Sequence, residues 1–102
     1  MSIVATLGEL GDPRAMELLE SALHSGTELL VVSAIGALGE LKDDRAIPLL
    51  TPFAKDPDSQ IRYRIAQAMS HFEGNLDAKA VLMALAADPD AQVAEYAMEL
   101  LG

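Results

Sequence analysis

Residues 38–50, LGELKDDRAIPLL, decide the fold because they repeat residues 7–19, LGELGDPRAMELL, with a shift of 31 positions. Both segments follow the pattern L-G-E-L-x-D-x-R-A-x-x-L-L. A fixed period of this length is typical of stacked repeats in which each unit is a helix pair. The sequence therefore predicts an all-α fold, an α–α superhelix of about three helix pairs with an additional half-repeat helix at the N-terminal end.

Acidic residues and prolines mark the predicted starts of the outer helices. Asp12 supplies a cap and Pro13 takes the first helical position, where the missing N–H costs nothing. Asp43 or Asp44 caps the next outer helix, and Pro52 should end that helix early or bend it. We expect the outer helices at 13–24, 44–54 and 77–87.

Apolar residues at helical spacing predict inner helices at 28–41, 59–73 and 91–101. Thr27 is expected to cap the first of them. The Asp-Pro-Asp turns at 56–58 and 88–90 precede the other two, as caps and not as calcium loops. The predicted core consists of Ala15, Leu18, Leu19, Ala22, Leu23, Leu30, Ala34, Ala37, Leu38, Leu41, Ala46, Ile47, Leu49, Leu50, Ile61, Ile65, Ala68, Met69, Phe72, Ala80, Val81, Leu82, Leu85, Val93, Ala97, Leu100 and Leu101.

The whole chain, residues 1–102, is predicted to form one domain. Its parts are a partial inner helix at 2–10, a first repeat at 13–41, a second at 44–73 and a degenerate third at 77–101. Because the first helix matches only the back half of an inner helix, an apolar face should remain uncovered at the end. We expect a weak homodimer through the terminal helices.

The repeated turn and the helix after it resemble the short HEAT-like repeats of phycobilisome lyase subunits. The resemblance covers residues 7–50 and 56–72 well and residues 74–102 more weakly. It implies a right-handed superhelix whose inner helices line a concave face. The sequence departs from this pattern at Ser25-Gly26-Thr27, which replaces Asp-Pro-Asp, and in the third copy, which lacks the arginine after its turn.

Composition restricts the function. Sixteen acidic and seven basic residues give a formal charge of −9, so a nucleic acid, which attracts basic surfaces, is not an expected partner. The chain has no cysteine and no apolar run long enough to cross a membrane. His24 and His71 lack the neighbouring ligands of a metal motif, and no catalytic triad is evident. We expect a cytoplasmic protein without a cofactor or a metal.

Glycines and arginines near the turns are expected to have structural roles. Gly36 and Gly39 are expected to permit close helix packing or helix ends, since no strand precedes them as a phosphate-binding fingerprint requires. Arg45 is expected to pair with Asp43 or Asp44, and Arg14 with its own acidic turn.

The candidate binding surface is the predicted concave face. Val31, Val32 and Ile35 are apolar at inner-helix positions that the core does not need, and contiguous exposed apolar residues indicate an interaction site. The alternative is that a tightly curved stack covers these positions itself. The candidate partner-binding residues are Val31, Val32, Ile35, Arg62, Tyr63, Ala66, Glu95 and Met98.

Two functions remain open. The first is a non-enzymatic scaffold that binds another protein through the concave face. The second, which only the resemblance implies, is an accessory subunit of a bilin lyase or a related cofactor-attachment system. Arg62, Arg64 and Tyr63 are then the candidate contacts for the bilin.

Overall fold

The fold is built from helices that pack in two layers, in a computed structural model that describes residues 15–102. The helices are α1 (Ala15–Leu23), α2 (Glu28–Leu41), α3 (Ala46–Leu50), a 3-10 helix (Thr51–Lys55), α4 (Ser59–Met69), α5 (Leu76–Leu85) and α6 (Ala91–Leu101). No strand occurs in this part of the chain, and the all-α prediction is confirmed. The predicted helix at 2–10, the Asp12-Pro13 cap, Arg14 and the side chain of Ala15 lie outside the described residues.

Helix α4 is the centre of the structure. It packs against α2 on one side and α6 on the other, so these three helices form the inner layer. The outer layer consists of α1, α3 with the 3-10 helix, and α5. Both α5 and the 3-10 helix pack on α4, but they touch each other only slightly. The outer layer is therefore open between the second and third helix pairs.

The core follows the apolar stripes of the sequence. All five core residues predicted for the second inner helix are buried, and Leu38 is completely buried. Two predicted core residues, Leu18 and Leu30, are instead exposed, because among residues 15–102 α1 packs chiefly on α2 and the far side of this pair has no neighbour. Ala80 was also predicted wrongly. The stripe of α5 begins at Ala78 and continues through Val81, so Ala80 faces solvent.

The turns confirm some of the predicted helix starts. Asp58 accepts a hydrogen bond from the Gln60 backbone N–H at 2.9 Å, and Asp90 caps α6 in the same way. Asn75, where the third copy lacks its Asp-Pro signal, caps α5. Thr27 occupies the N-cap position of α2, as predicted, but its side chain makes no capping hydrogen bond. The Thr27 backbone N–H instead donates a hydrogen bond to the Ser25 side-chain Oγ at 3.2 Å within this turn.

Pro52 interrupts the second outer helix as predicted. Helix α3 ends at Leu50, and the chain continues as the 3-10 helix with Pro52 near its first position. Proline has no N–H to donate and its ring clashes with the preceding turn of an α-helix. The outer segment of the second repeat is thus two short helices in place of one long helix.

Gly39 permits the close approach of α2 and α4. A Cβ atom added at Gly39 would lie 3.0 Å from the Ala68 Cα and 2.9 Å from the His71 Cδ2. Real Cβ atoms essentially never come closer than this to another backbone. Gly36, in contrast, has open space around it. The close-packing interpretation is therefore confirmed for Gly39.

Candidate partner-binding surface

Two of the predicted binding residues are buried and cannot contact a partner. Ile35 is fully buried because α2 packs against both α1 and α4, which together cover a broad stripe of the helix. Ala66 is fully buried because α4 has neighbours on several sides. The alternative reading, in which the stack covers its own inner positions, holds for both residues. Their assignment to the binding surface was wrong.

Arg62 is occupied by contacts within the protein. Its Nε donates to Asp88 Oδ2 at 2.7 Å and its Nη2 donates to Asp88 Oδ1 at 3.1 Å. Its Nη1 donates to the backbone carbonyl of Asp56 at 2.7 Å. The side chains of Arg62 and Asp88 are only 13% and 5% exposed. Arg62 therefore joins two turns, and its guanidinium is already committed to contacts within the protein.

The other predicted residues remain accessible in part or in full. Val31 and Val32 are half-buried on α2 and pack against the core. Tyr63 is half-buried on α4, while Glu95 and Met98 are exposed on α6. The accessible surface of the inner layer is thus partly apolar and partly acidic. It contains fewer residues than the sequence predicted.

An aromatic pair lies in the middle of this surface. The rings of Tyr63 on α4 and Tyr96 on α6 are stacked, with their centroids 4.5 Å apart and their planes inclined by 14°. A stacked pair of this kind is stabilised by more than the area that it buries. Because each tyrosine comes from a different repeat, the pair also fixes the two inner helices relative to each other.

The two rings form part of a cleft of about 350 Å³ between α4 and α6. We call it the tyrosine cleft, and it is lined by Gln60, Tyr63, Gln92, Glu95, Tyr96 and Glu99. All of these residues lie on the inner helices α4 and α6, so the cleft belongs to the inner surface. The sequence analysis missed four of its six residues.

The tyrosine cleft is electrostatically negative. Glu95 and Glu99 are one turn apart on α6, and like charges at this spacing destabilise a helix by about 0.2–0.5 kcal/mol. Neither takes part in an ion pair among residues 15–102. Burial, followed by the nearby Tyr63 and Glu99, raises the pKa of Tyr96, and Arg64 opposes the rise. Tyr96 therefore keeps its hydroxyl proton at neutral pH.

Tyr96 was missed because the repeats were compared at equal register. The turns are 32 residues apart, so Tyr63 corresponds to Glu95 and not to Tyr96. Side chains that touch across two neighbouring helices, however, come from the facing sides of those helices. On α6 this side is one residue, or about 100°, further along the helix. A comparison offset by one residue would have found the tyrosine pair.

A second, larger concavity lies on the opposite side of the molecule. This outer groove of about 830 Å³ forms where α3 and the 3-10 helix separate from α5. Its walls are mostly apolar, with Ile47, Pro48 and Pro52 on one side and Ala80 and Ala84 on the other. The groove follows from the break at Pro52 and from the short side chains of α5.

The described residues contain no arrangement suited to a metal. Within residues 15–102, no three His, Cys, Asp or Glu side chains converge on one point. His24 lies beside Phe53, with ring centroids 6.1 Å apart, and His71 lies against Gly39.

Arg45 pairs with Asp43 at 2.6 Å, as predicted, on an exposed surface. None of the helices within residues 15–102 is long and apolar enough to cross a membrane.

Stacked helix pairs with a continuous inner layer define an α-solenoid built from helical repeats. Comparison with protein families is consistent with this class. A model described as HEAT repeats matches residues 30–102, and one described as PBS lyase HEAT-like repeat matches residues 1–25. The chain belongs to the HEAT repeat family. A search of curated proteins found no relative that matches it.

Proposed function

We propose that the protein is a non-enzymatic interaction module that binds another protein through its inner surface. The contact is centred on the tyrosine cleft, with Val31, Val32 and Met98 at its margins. The observation that carries this proposal is the Tyr63–Tyr96 stack, an aromatic pair that lines an open cleft between two repeats.

Physical chemistry supports a protein partner for such a surface. Tyrosine combines a large apolar ring with a polar hydroxyl, and it is enriched among the residues that dominate binding energy at interfaces. Repeat solenoids present extended surfaces on one side, so a partner segment can touch several helices at once. Half-buried Val32 and exposed Met98 add apolar area on either side of the tyrosines.

The test compares capture of partner proteins by two sets of variants. Val32→Lys combined with Tyr63→Lys should abolish capture while the helical circular dichroism is unchanged. Glu17, Glu20 and Lys79 are exposed on outer helices, and charge reversals there should leave capture intact. Loss of capture in the outer variants, with retention in the inner variant, would overturn the proposal.

The second candidate, an accessory subunit of a bilin lyase or a related cofactor-attachment system, has less support. Arg62 is one of three candidate bilin contacts, and its guanidinium is held by Asp88 and Asp56. Among residues 15–102, Lys55 is the one cation that lines the larger outer groove, and Asp77 and Asp88 in the same lining would repel propionates. Added bilin should cause no change in visible absorption. An induced absorption change at micromolar protein would favour this second candidate.

A weak homodimer through terminal helices stays part of the proposal. Leu100 and Leu101 on the terminal helix α6 are only half-buried, and such apolar residues favour association. Sedimentation at several concentrations, in low and high salt, should show a dimer that strengthens as salt screens the acidic surface. A monomer under all these conditions would contradict the homodimer.

The cytoplasmic location also stays a prediction, supported by the absence of cysteine.

A further inference from the structure

Every side chain that lines the tyrosine cleft carries an oxygen that accepts hydrogen bonds. Four of the six are neutral groups, the amides of Gln60 and Gln92 and the phenols of Tyr63 and Tyr96. The remaining two are the carboxylates of Glu95 and Glu99. Among residues 15–102, no lysine or arginine lines the cleft. Its chemistry is thus complementary to a group that donates several hydrogen bonds and carries a positive charge.

The acidic charge at the cleft is not used within the described structure. Asp88 is paired with Arg62 and Asp90 caps α6, so both carboxylates have a structural role. Glu95 and Glu99 have no such role among residues 15–102, and the sequence contains no basic residue after Lys79. The two glutamates therefore leave a net negative charge beside the aromatic pair, which the nearby Arg64 offsets only in part.

We propose that the tyrosine cleft binds a basic polypeptide segment and receives an arginine or lysine side chain between the tyrosine pair and the two glutamates. This inference rests on the proposed function and specifies the chemistry of the partner. The carboxylates of Glu95 and Glu99 accept charge-assisted hydrogen bonds from the cationic group, and these are stronger than neutral ones. The rings of Tyr63 and Tyr96 contact the aliphatic stem of the same side chain.

A cleft of about 350 Å³ lies near the lower end of the size range of ligand pockets and has room for one long side chain. The rest of the segment then lies across α4 and α6, within reach of exposed Met98. The outer groove has no comparable chemistry, because Lys55 and Asp77 give it mixed charge and its walls are apolar. Nothing in the structure indicates what would cover that groove.

The experiment uses a fluorescent, alanine-based helical peptide with three arginines spaced one turn apart, titrated with the intact protein. Glu95→Gln combined with Glu99→Gln should weaken binding by about tenfold or more, since each charge-assisted hydrogen bond contributes about that factor. The matched control is Glu17→Gln combined with Glu20→Gln, which removes the same charge from exposed positions on α1. It should weaken binding less than about twofold, as expected for a charge that is distant and screened.

A second probe separates specific binding from general attraction to an acidic protein. The same peptide with glutamine in place of arginine should not bind measurably. Tyr63→Ala should also weaken binding of the arginine peptide, although it changes no charge. Equal weakening by the two glutamate pairs, or no effect of Tyr63→Ala, would overturn the proposal.

The outcomes also distinguish this inference from the proposed function. The proposed function and the basic-segment inference both stand if two results are obtained. The variant carrying Val32→Lys and Tyr63→Lys no longer captures its partner, and the variant carrying Glu95→Gln and Glu99→Gln no longer binds the arginine peptide. If the first variant loses its partner and the second keeps full affinity for the peptide, the inner surface binds a partner of other chemistry. The basic-segment inference would then be wrong while the proposed function remains.

Discussion

Arg62 joins the second acidic turn to the third. Its guanidinium donates two hydrogen bonds to the carboxylate of Asp88 and one to the backbone carbonyl of Asp56. Those two aspartates occupy equivalent places in successive turns, 32 residues apart. At the equivalent place in the first repeat the chain has Val31, which cannot form this link. The connection is therefore specific to the second and third repeats.

Replacing Arg62 should destabilise the fold substantially. Arg62→Met leaves the Asp88 carboxylate without its cation in a site where it is 5% exposed, which costs about 3 kcal/mol in free energy of unfolding. Arg64→Met is the matched control, since Arg64 is exposed and should cost less than about 0.5 kcal/mol. Urea denaturation followed by circular dichroism measures both values. Equal values for the two variants would show that the link between turns contributes nothing.

Acid should weaken the same link. Burial raises the pKa of the Asp88 carboxyl, but hydrogen bonds from the Arg62 side chain and the Asp90 backbone outweigh this and hold it below the ordinary value. A carboxyl with a lowered pKa in the folded state stabilises the fold above its unfolded-state pKa of about 3.9. This stability is lost as the pH falls through the lower, folded-state pKa.

Denaturation across a pH series checks this expectation. The free energy of unfolding should fall between about pH 5 and the acid limit, and Arg62→Met should make that fall shallower. The same slope in the variant and the original protein would contradict the assignment of this acid dependence to Asp88.

The sequence predicts most of the fold because the apolar stripes and the turn residues act locally. Pro52 lacks an N–H wherever it stands, so the break of the outer helix follows from the sequence alone. Leu18 and Leu30 were mispredicted because periodicity identifies an apolar face without showing whether a neighbouring helix covers it. The missing side-chain hydrogen bond at the Thr27 N-cap has a similar origin, since the side-chain conformation in a turn depends on the surrounding contacts.

Replacing each of two glycines in α2 with alanine should have opposite effects on stability. Gly39→Ala places a methyl group against the Ala68 backbone and should cost about 1–3 kcal/mol, as for an overpacked core. Gly36→Ala meets no neighbour within 4 Å and should stabilise the helix by about 0.5–1 kcal/mol, because alanine loses less entropy than glycine. Thermal denaturation compares the two. A stabilising Gly39→Ala would contradict the close packing of α2 and α4.

The core position Leu38 should be costly to truncate. Leu38→Ala leaves a cavity in the middle of the stack and should lower the free energy of unfolding by about 2–5 kcal/mol. Leu29 on the same helix is 74% exposed, and Leu29→Ala should change stability by less than about 0.5 kcal/mol. A loss below about 0.5 kcal/mol for Leu38→Ala, which is the size of effect expected at the surface, would mean that the inward stripe is misassigned.

The binding surface was only partly predictable for a different reason. Ile35 and Arg62 were assigned to it by position on the inner helices, but burial and pairing depend on contacts between distant parts of the chain. Tyr63 was identified from its position, whereas its partner Tyr96 depends on how α4 and α6 face each other. Contacts between repeats therefore determine which inner residues remain available.

The most direct test of the inner surface as the binding site is site-specific photo-crosslinking. A photoreactive amino acid is placed at Gln92 in the tyrosine cleft or, as the matched control, at Ala84 in the outer groove. Both positions are exposed on a helix, so each variant should fold like the original protein. The account predicts a crosslink to the captured partner from Gln92 and none from Ala84. A crosslink from Ala84 together with none from Gln92 would contradict it.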